Sequence, residues 1–243
     1  MKVLLRKTSI RISTCKVLGL ILAWSFYCSA QNPQLQTKNG LAFATVVFTH
    51  SFATETPRFY SVAIDSTGSA TYQSAPTSLE QTGVPYTLEF TASPPVRDKV
   101  FRIVGALRFF RPPVLGLQQP VQSESANTLT FREGNLNPAD INNDNVITFH
   151  SSKNPGVQQL TDLFESISET LEFGRQLTYL REQRSPGINM ELRQMQDLAR
   201  RGRLSEVLVV APVLKEIASD TTIDKTARTR ASAILKYAQA NNE

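Results

Sequence analysis

Residues Asn154 to Arg184 read NPGVQQLTDLFESISETLEFGRQLTYLREQR, and the fold depends on how this stretch is interpreted. Asn154 offers a side-chain carbonyl to an orphan backbone N–H, and Pro155 has the fixed φ that suits a first helical position. A helix therefore starts here. At about 100° per residue, Leu160, Leu163, Phe164, Ile167 and Leu171 fall within an arc of about 120°, with Gly174 on the same stripe. From Phe173 on, the apolar positions Phe173, Leu177 and Leu180 move to a face about 90° or more away, while Glu165, Glu169, Glu172 and Arg175 stay polar. The first half is expected to pack on a sheet and the second on the helices that follow. Gly174 reads either as a kink or as a point of close approach. Ser185-Pro186-Gly187 is the expected stop.

Upstream, the periodicity is that of strands. Leu41, Phe43, Thr45 and Val47 alternate with Ala42, Ala44, Val46 and Phe48, which predicts a strand buried on both faces over part of its length. Tyr60, Val62 and Ile64, the turn residues Asp65-Ser66-Thr67-Gly68, and Ala70-Thr71-Tyr72 predict a hairpin. Tyr86, Leu88 and Phe90 predict a half-buried strand. Ser93-Pro94-Pro95 opens a helix capped by Ser93, with Val96, Val100, Ile103, Val104, Leu107 and Phe110 on its dry side and Arg111-Pro112-Pro113 as its stop. The Gln-rich stretch 114–126 reads as a surface loop. Leu129 with Phe131, and Val146, Ile147 and Phe149, read as two paired strands bridged by 134–145.

Downstream, Asn189 can cap a helix closed by Gly202, Ser205 starts another in which Pro212 implies a kink or a late start, and Thr222 caps the last. The fold class is α+β: an antiparallel sheet with one packed helix, followed by a long helix and a C-terminal helical subdomain. Residues 41–153 make the mainly β region and 154–243 the helical region that packs on it.

At the N-terminus Lys2, Arg6, Lys7, Arg11 and Lys16 stand without an acid before an apolar run from Val17 to Tyr27 and the small residues before Gln31. That is the layout of an export signal over 1–30, cut after Ala30 and followed by a disordered leader over 31–40. The run is shorter than the roughly 20 residues a bilayer span needs, so no stable membrane span is expected once it is removed. Tyr27 is too bulky for the position before a lipidated Cys28. The periplasm or the extracellular space is the expected location. The chain has 26 Lys and Arg against 21 Asp and Glu; losing those five bases leaves 21 against 21. Net charge then gives no case for nucleic-acid binding. Both cysteines, Cys15 and Cys28, leave with the signal, so no disulfide, thiolate ligand or cysteine nucleophile is expected.

Asp140, Asn142 and Asp144 with Ile147 match the opening of a calcium loop, but Asn145 stands where that loop has Gly and Ser151 where it has a bidentate acid. An Asx-rich hairpin loop is the expectation. His50 and His150, at strand ends, lack metal-ligand spacing. Arg200, Arg201 and Arg203 sit at a helix end, where they compensate the macrodipole or bind a phosphate or acidic partner. Phe109-Phe110 beside Arg111 reads as an aromatic helix end tucked under the sheet. The mature chain lacks HExxH, GxSxG, GxGxxG, Walker and SxxK patterns. No catalytic, cofactor-binding or metal residue is assigned, and no cofactor.

The hairpin segment FYSVAIDSTGSATYQS (Phe59 to Ser74), the run Ile147 to Arg184 with TLEFGR, and the later APVLKEIASD and RTRASAIL resemble uncharacterised exported proteins of acidobacterial type. The resemblance implies export and an α+β fold and lends no catalytic residue. The expected function is a non-catalytic exported protein that binds an unknown protein partner. The alternative is a small-ligand module or hydrolase with its site between sheet and helices; a cleft lined by His50, His150 or converging acids would favour it, and a filled apolar junction the first.

Overall fold

In the computed structural model of the chain, residues 44–52, 59–75, 84–120, 125–134 and 144–240 are described. The export signal, the leader and the first residues of the expected opening strand lie outside them. The strands are β1 (Ala44–Ser51), β2 (Phe59–Asp65), β3 (Ser69–Ser74), β4 (Tyr86–Thr91), β5 (Leu117–Gln118), β6 (Ala126–Glu133), β7 (Asn145–Phe149) and β8 (Ser151–Ser152). Six form one antiparallel sheet in the order β4-β3-β2-β1-β6-β7. The β2–β3 turn is fastened as its sequence implies: Asp65 Oδ1 accepts from the N–H of Thr67 and of Ser69 at 2.8 and 2.9 Å, and Gly68 takes φ +97°.

Register puts the even-numbered residues of β1 to β4 on one face. Val46 lies beside Ile64 and Phe48 beside Val62, and these four side chains are fully buried. Helices cover this face alone, which leaves the opposite, Thr- and Ser-rich face to solvent. Ala44 to Val46 is buried on both faces, as expected for part of β1.

The long helix α2 runs Pro155–Glu182. Asn154 caps it, its Oδ1 accepting from Gly156 and Val157 N–H at 3.0 and 3.3 Å. All six positions of the apolar stripe are buried, and Phe164 stacks on Phe48 of β1 at 5.4 Å. Gly174 is a close approach: a Cβ there would overlap Val210. The helix ends three residues before the Ser-Pro-Gly stop, with Arg184 in a left-handed turn (φ 49°).

The other α-helices are α1 (Pro94–Ala106), α3 (Ile188–Arg200), α4 (Ala211–Ser219) and α5 (Lys225–Ala240). Several sequence-based boundaries are corrected. α1 stops at Ala106, and a left-handed 3-10 turn over Arg108–Phe110 follows; it tucks Phe110 fully away and sets Phe109 on Phe131 at 4.8 Å. Ser93 occupies the cap position of α1 without capping; Pro94 and Pro95 leave only the Val96 N–H as a donor there. Its hydroxyl donates to Glu206 Oε1 instead (2.7 Å). The 114–126 stretch is no simple loop, since β5 pairs with β8.

α3 begins before Asn189, whose side chain accepts from Arg230 of α5. Gly202 (φ +66°) closes that helix as expected. Ser205 starts no helix; a 3-10 turn over Val207–Val210 leads into α4, and Pro212 sits in its first turn. Asp224, not Thr222, caps α5, accepting from Thr226 and Ala227 N–H. Thr222 is held by Asp220. No helix among the described residues is long and apolar enough to cross a membrane.

Candidate functional site

α2 is buried round most of its circumference. Phe164 faces the sheet, Gly174 faces Val210, and Arg175 donates to Ser74 of β3 at 2.9 Å. One direction stays open. At about 100° per residue, Asp162, Glu165, Glu169, Glu172 and Gln176 fall between about 120° and 200° from Leu160, a polar stripe at alternating three- and four-residue steps. This stripe forms one wall of a cleft of about 910 Å³.

The floor is the end of the sheet. His50 pairs in register with Tyr60 on one side and Asn127 on the other, so all three project to the helical face. The far wall is Glu191 and Gln194 of α3 with Gly202, Arg203 and Ser205 of the following loop, and Lys99 of α1 closes the rim.

The floor is aromatic. The His50 ring lies parallel to Tyr60 at 5.3 Å and meets Phe52 edge-on at 4.3 Å. His50 Nδ1 is 2.5 Å from Asn127 Oδ1. Asn127 in turn donates Nδ2–H to the His150 carbonyl at 3.4 Å. Burial, with Glu165 and Glu169 nearby, lifts the Tyr60 hydroxyl well above the ordinary phenol range. Tyr72 is lifted too, by burial first and then Glu172, so both stay protonated donors.

Tyr72 Oη donates to Glu172 Oε2 at 3.1 Å, and Glu172 Oε1 pairs with Arg175 at 2.7 Å. Arg175 also lies over the Tyr86 ring at 5.3 Å. Glu172 is thus the compensated member of the acidic wall.

The remaining acids are not compensated in this way. Burial pushes the carboxyls of Glu165, Glu169 and Glu191 above their usual range. At Glu165 the pull of His50 opposes burial, and Asp162 and Glu169 add to it on either side of a further opposing pull from Arg203. Glu165 is exposed at the cleft mouth, yet the protein around it still disfavours its charged form. Asp162, Glu165, Glu169 and Glu191 have no hydrogen-bond or ion-pair partner among the described residues. Ser166 Oγ donates to the Arg203 carbonyl at 2.7 Å and lies 2.9 Å from Ser205 Oγ, which ties the far wall to α2. Ser168 Oγ donates back to the Phe164 carbonyl.

The residues singled out from sequence divide. His50 and Arg203 line the cleft; His150, whose Nδ1 meets the Ser125 carbonyl at 3.0 Å, and the exposed Arg200 and Arg201 do not. Asp140 and Asn142 lie outside the described residues. Asp144 pairs with Arg132 at 2.7 Å, Asn145 to Phe149 is β7 and Ser151 belongs to β8, so the second half of the suspected calcium loop is strand. Among the described residues no three His, Cys, Asp or Glu converge as metal ligands would. The acidic wall was visible in the sequence only as polar positions on α2. Its one signal is the three-four spacing of the acids, which ordinary solvated helices share. A scan against family models and a search of curated proteins both find nothing that matches the chain.

Proposed function

We propose that the protein acts outside the cytoplasm, in the periplasm or as a secreted protein, as a non-catalytic ligand-binding module whose site is the cleft between sheet and helices. The observation that carries this is the lining: partner-free carboxylates, an aromatic floor and His50 converge on one concavity of about 910 Å³, the size and mixture of a small-molecule site. A filled apolar junction would have favoured a protein partner instead. Hydrolysis is the weaker reading, because Ser166 and Ser168 are committed to backbone carbonyls and no serine hydroxyl bonds the His50 ring among the described residues. Export is supported by the N-terminal charge and hydropathy pattern.

Trp24, the chain's one tryptophan, precedes the expected cut, so the exported product emits through tyrosine, and Tyr60 and Tyr72 line the cleft. A chemically diverse small-molecule set, screened by tyrosine emission with NMR mapping, is expected to return at least one saturable binder that perturbs Tyr60. A set that leaves Tyr60 unmoved throughout, while crosslinking captures a protein on the cleft rim, would return the function to partner binding. Mass spectrometry of the native product with Met1 still attached would overturn the location.

A further inference from the structure

We infer that the ligand of this cleft is an elongated organic cation bearing amine or guanidinium groups, lying along α2 over the aromatic floor; this rests on the binding-module reading above. Charge is the first support. Glu172 is matched by Arg175, but the other four carboxylates have no partner, against two side chains of fixed positive charge on the walls, the exposed Lys99 and Arg203. Holding the half-buried Glu169 and Glu191 unpaired is unfavourable, and the surrounding protein has raised the proton affinity of both and of the exposed Glu165. A bound cation removes that cost.

Hydrogen-bond polarity is the second and independent support. Because Asn127 spends its Nδ2–H on the His150 carbonyl, its Oδ1 is the atom that faces His50. Nδ1 of His50 must then be the donor, and in the neutral ring Nε2 is left as an acceptor. With that ring uncharged, the floor and the acidic wall both ask for N–H donors. The rings of Phe52 and Tyr60 line the same cleft, which suits a cation and its apolar stem together.

Spacing gives the length. At 1.5 Å rise per residue, the unpaired Asp162, Glu165 and Glu169 step about 4.5 Å and then about 6 Å along the helix axis. A short alkyl chain between two ammonium groups bridges each step. An inorganic divalent ion does not fit, since no three acids converge on one point among the described residues.

The test is calorimetry on the chain recovered after export, with 1,5-diaminopentane, spermidine and arginine methyl ester as cations, a blocked Lys-Lys-Lys tripeptide as their peptide-borne form, and 1,5-pentanediol and glutarate as neutral and anionic matches of the diamine. Saturable binding of the amines is expected, weakened by salt and reduced about tenfold or more by Glu165→Gln with Glu169→Gln, the scale of one charge-assisted hydrogen bond. The double substitution removes unpaired carboxylates, so the variant is expected to fold, and its melting curve checks this. Tighter binding of the tripeptide than of spermidine would identify a basic peptide as the source of the cation; the reverse, a free polyamine. Pentanediol or glutarate binding where the amines do not would refute the cationic class and leave the binding cleft standing. Amine binding unchanged in the Gln variant would refute the assignment to this wall, and silence from every probe would refute the cationic class.

Discussion

Gly174→Ala is the sharpest test of how α2 is built into the fold. In an open helix interior the change stabilises by about 1 kcal/mol. Here the sign reverses. An added Cβ overlaps Val210 Cγ1 and stands 3.1 Å from Val210 Cβ. Val210 is 5% exposed and β-branched, so no flexible tip can swing aside. Overpacking of this kind costs about 1–3 kcal/mol, which less the propensity gain leaves a net loss of about 1 kcal/mol. Val210→Ala alone costs about 1.5–2 kcal/mol, for two methyl-sized groups of burial and a small cavity. In the double variant the new Cβ occupies the space vacated by the methyls, and the two losses should fall short of their sum by about 1–2 kcal/mol. Urea unfolding of the four proteins, with m unchanged across the set, measures this directly. Additive losses, or a Gly174→Ala protein more stable than the parent, would mean that the 3-10 turn leading into α4 does not meet α2 through this contact.

Three further outcomes are expected. Because the folded-state pKa values of Glu165, Glu169 and Glu191 are raised, the folded chain binds protons more tightly than the unfolded one; their contribution is fully present below the ordinary Glu value of about 4.3 and is lost as pH rises through the raised values. Chemical denaturation followed upward from about pH 4 should show that decline, and Glu165→Gln with Glu169→Gln should flatten it; a slope unchanged by the substitutions would contradict the burial argument. Asn154→Ala removes the cap of α2 and should cost about 1 kcal/mol, read as a shift of the urea midpoint, with Asn154→Asp retaining most of the stability. Glu206→Ala removes both acceptor contacts to Ser93, 2.9 Å from its N–H and 2.7 Å from its hydroxyl, at about 1–3 kcal/mol, with faster amide exchange in the first turn of α1 as the local signature.

The cleft and the core make opposite demands on α2. Its apolar stripe and Gly174 are spent on stability, while Glu165 and Glu169 of the acidic stripe hold carboxylates whose charged form the surrounding protein disfavours. Binding sites commonly carry such local costs, and the Gln variants separate the two contributions because they touch only the acidic side.

What the sequence by itself determined is whatever is decided within a few residues. The Asn-Pro start of α2, its apolar stripe, the Asp65–Gly68 turn of the β2–β3 hairpin and the Gly202 close of α3 each follow from local hydrogen-bond and φ requirements, and all were legible. Tertiary structure alone decided matters in which a residue chooses between local and distant partners. Ser93 gave up capping for Glu206, Asn189 gave up capping for Arg230, and Leu117-Gln118 became a strand only because Ser151-Ser152 came alongside. The cleft is of this second kind. Glu165 and Glu169 look like any solvated helix face until β1 and β2, about a hundred residues earlier, place His50 and Tyr60 opposite them; charge pattern travels with the chain, but desolvation belongs to whatever the fold brings near.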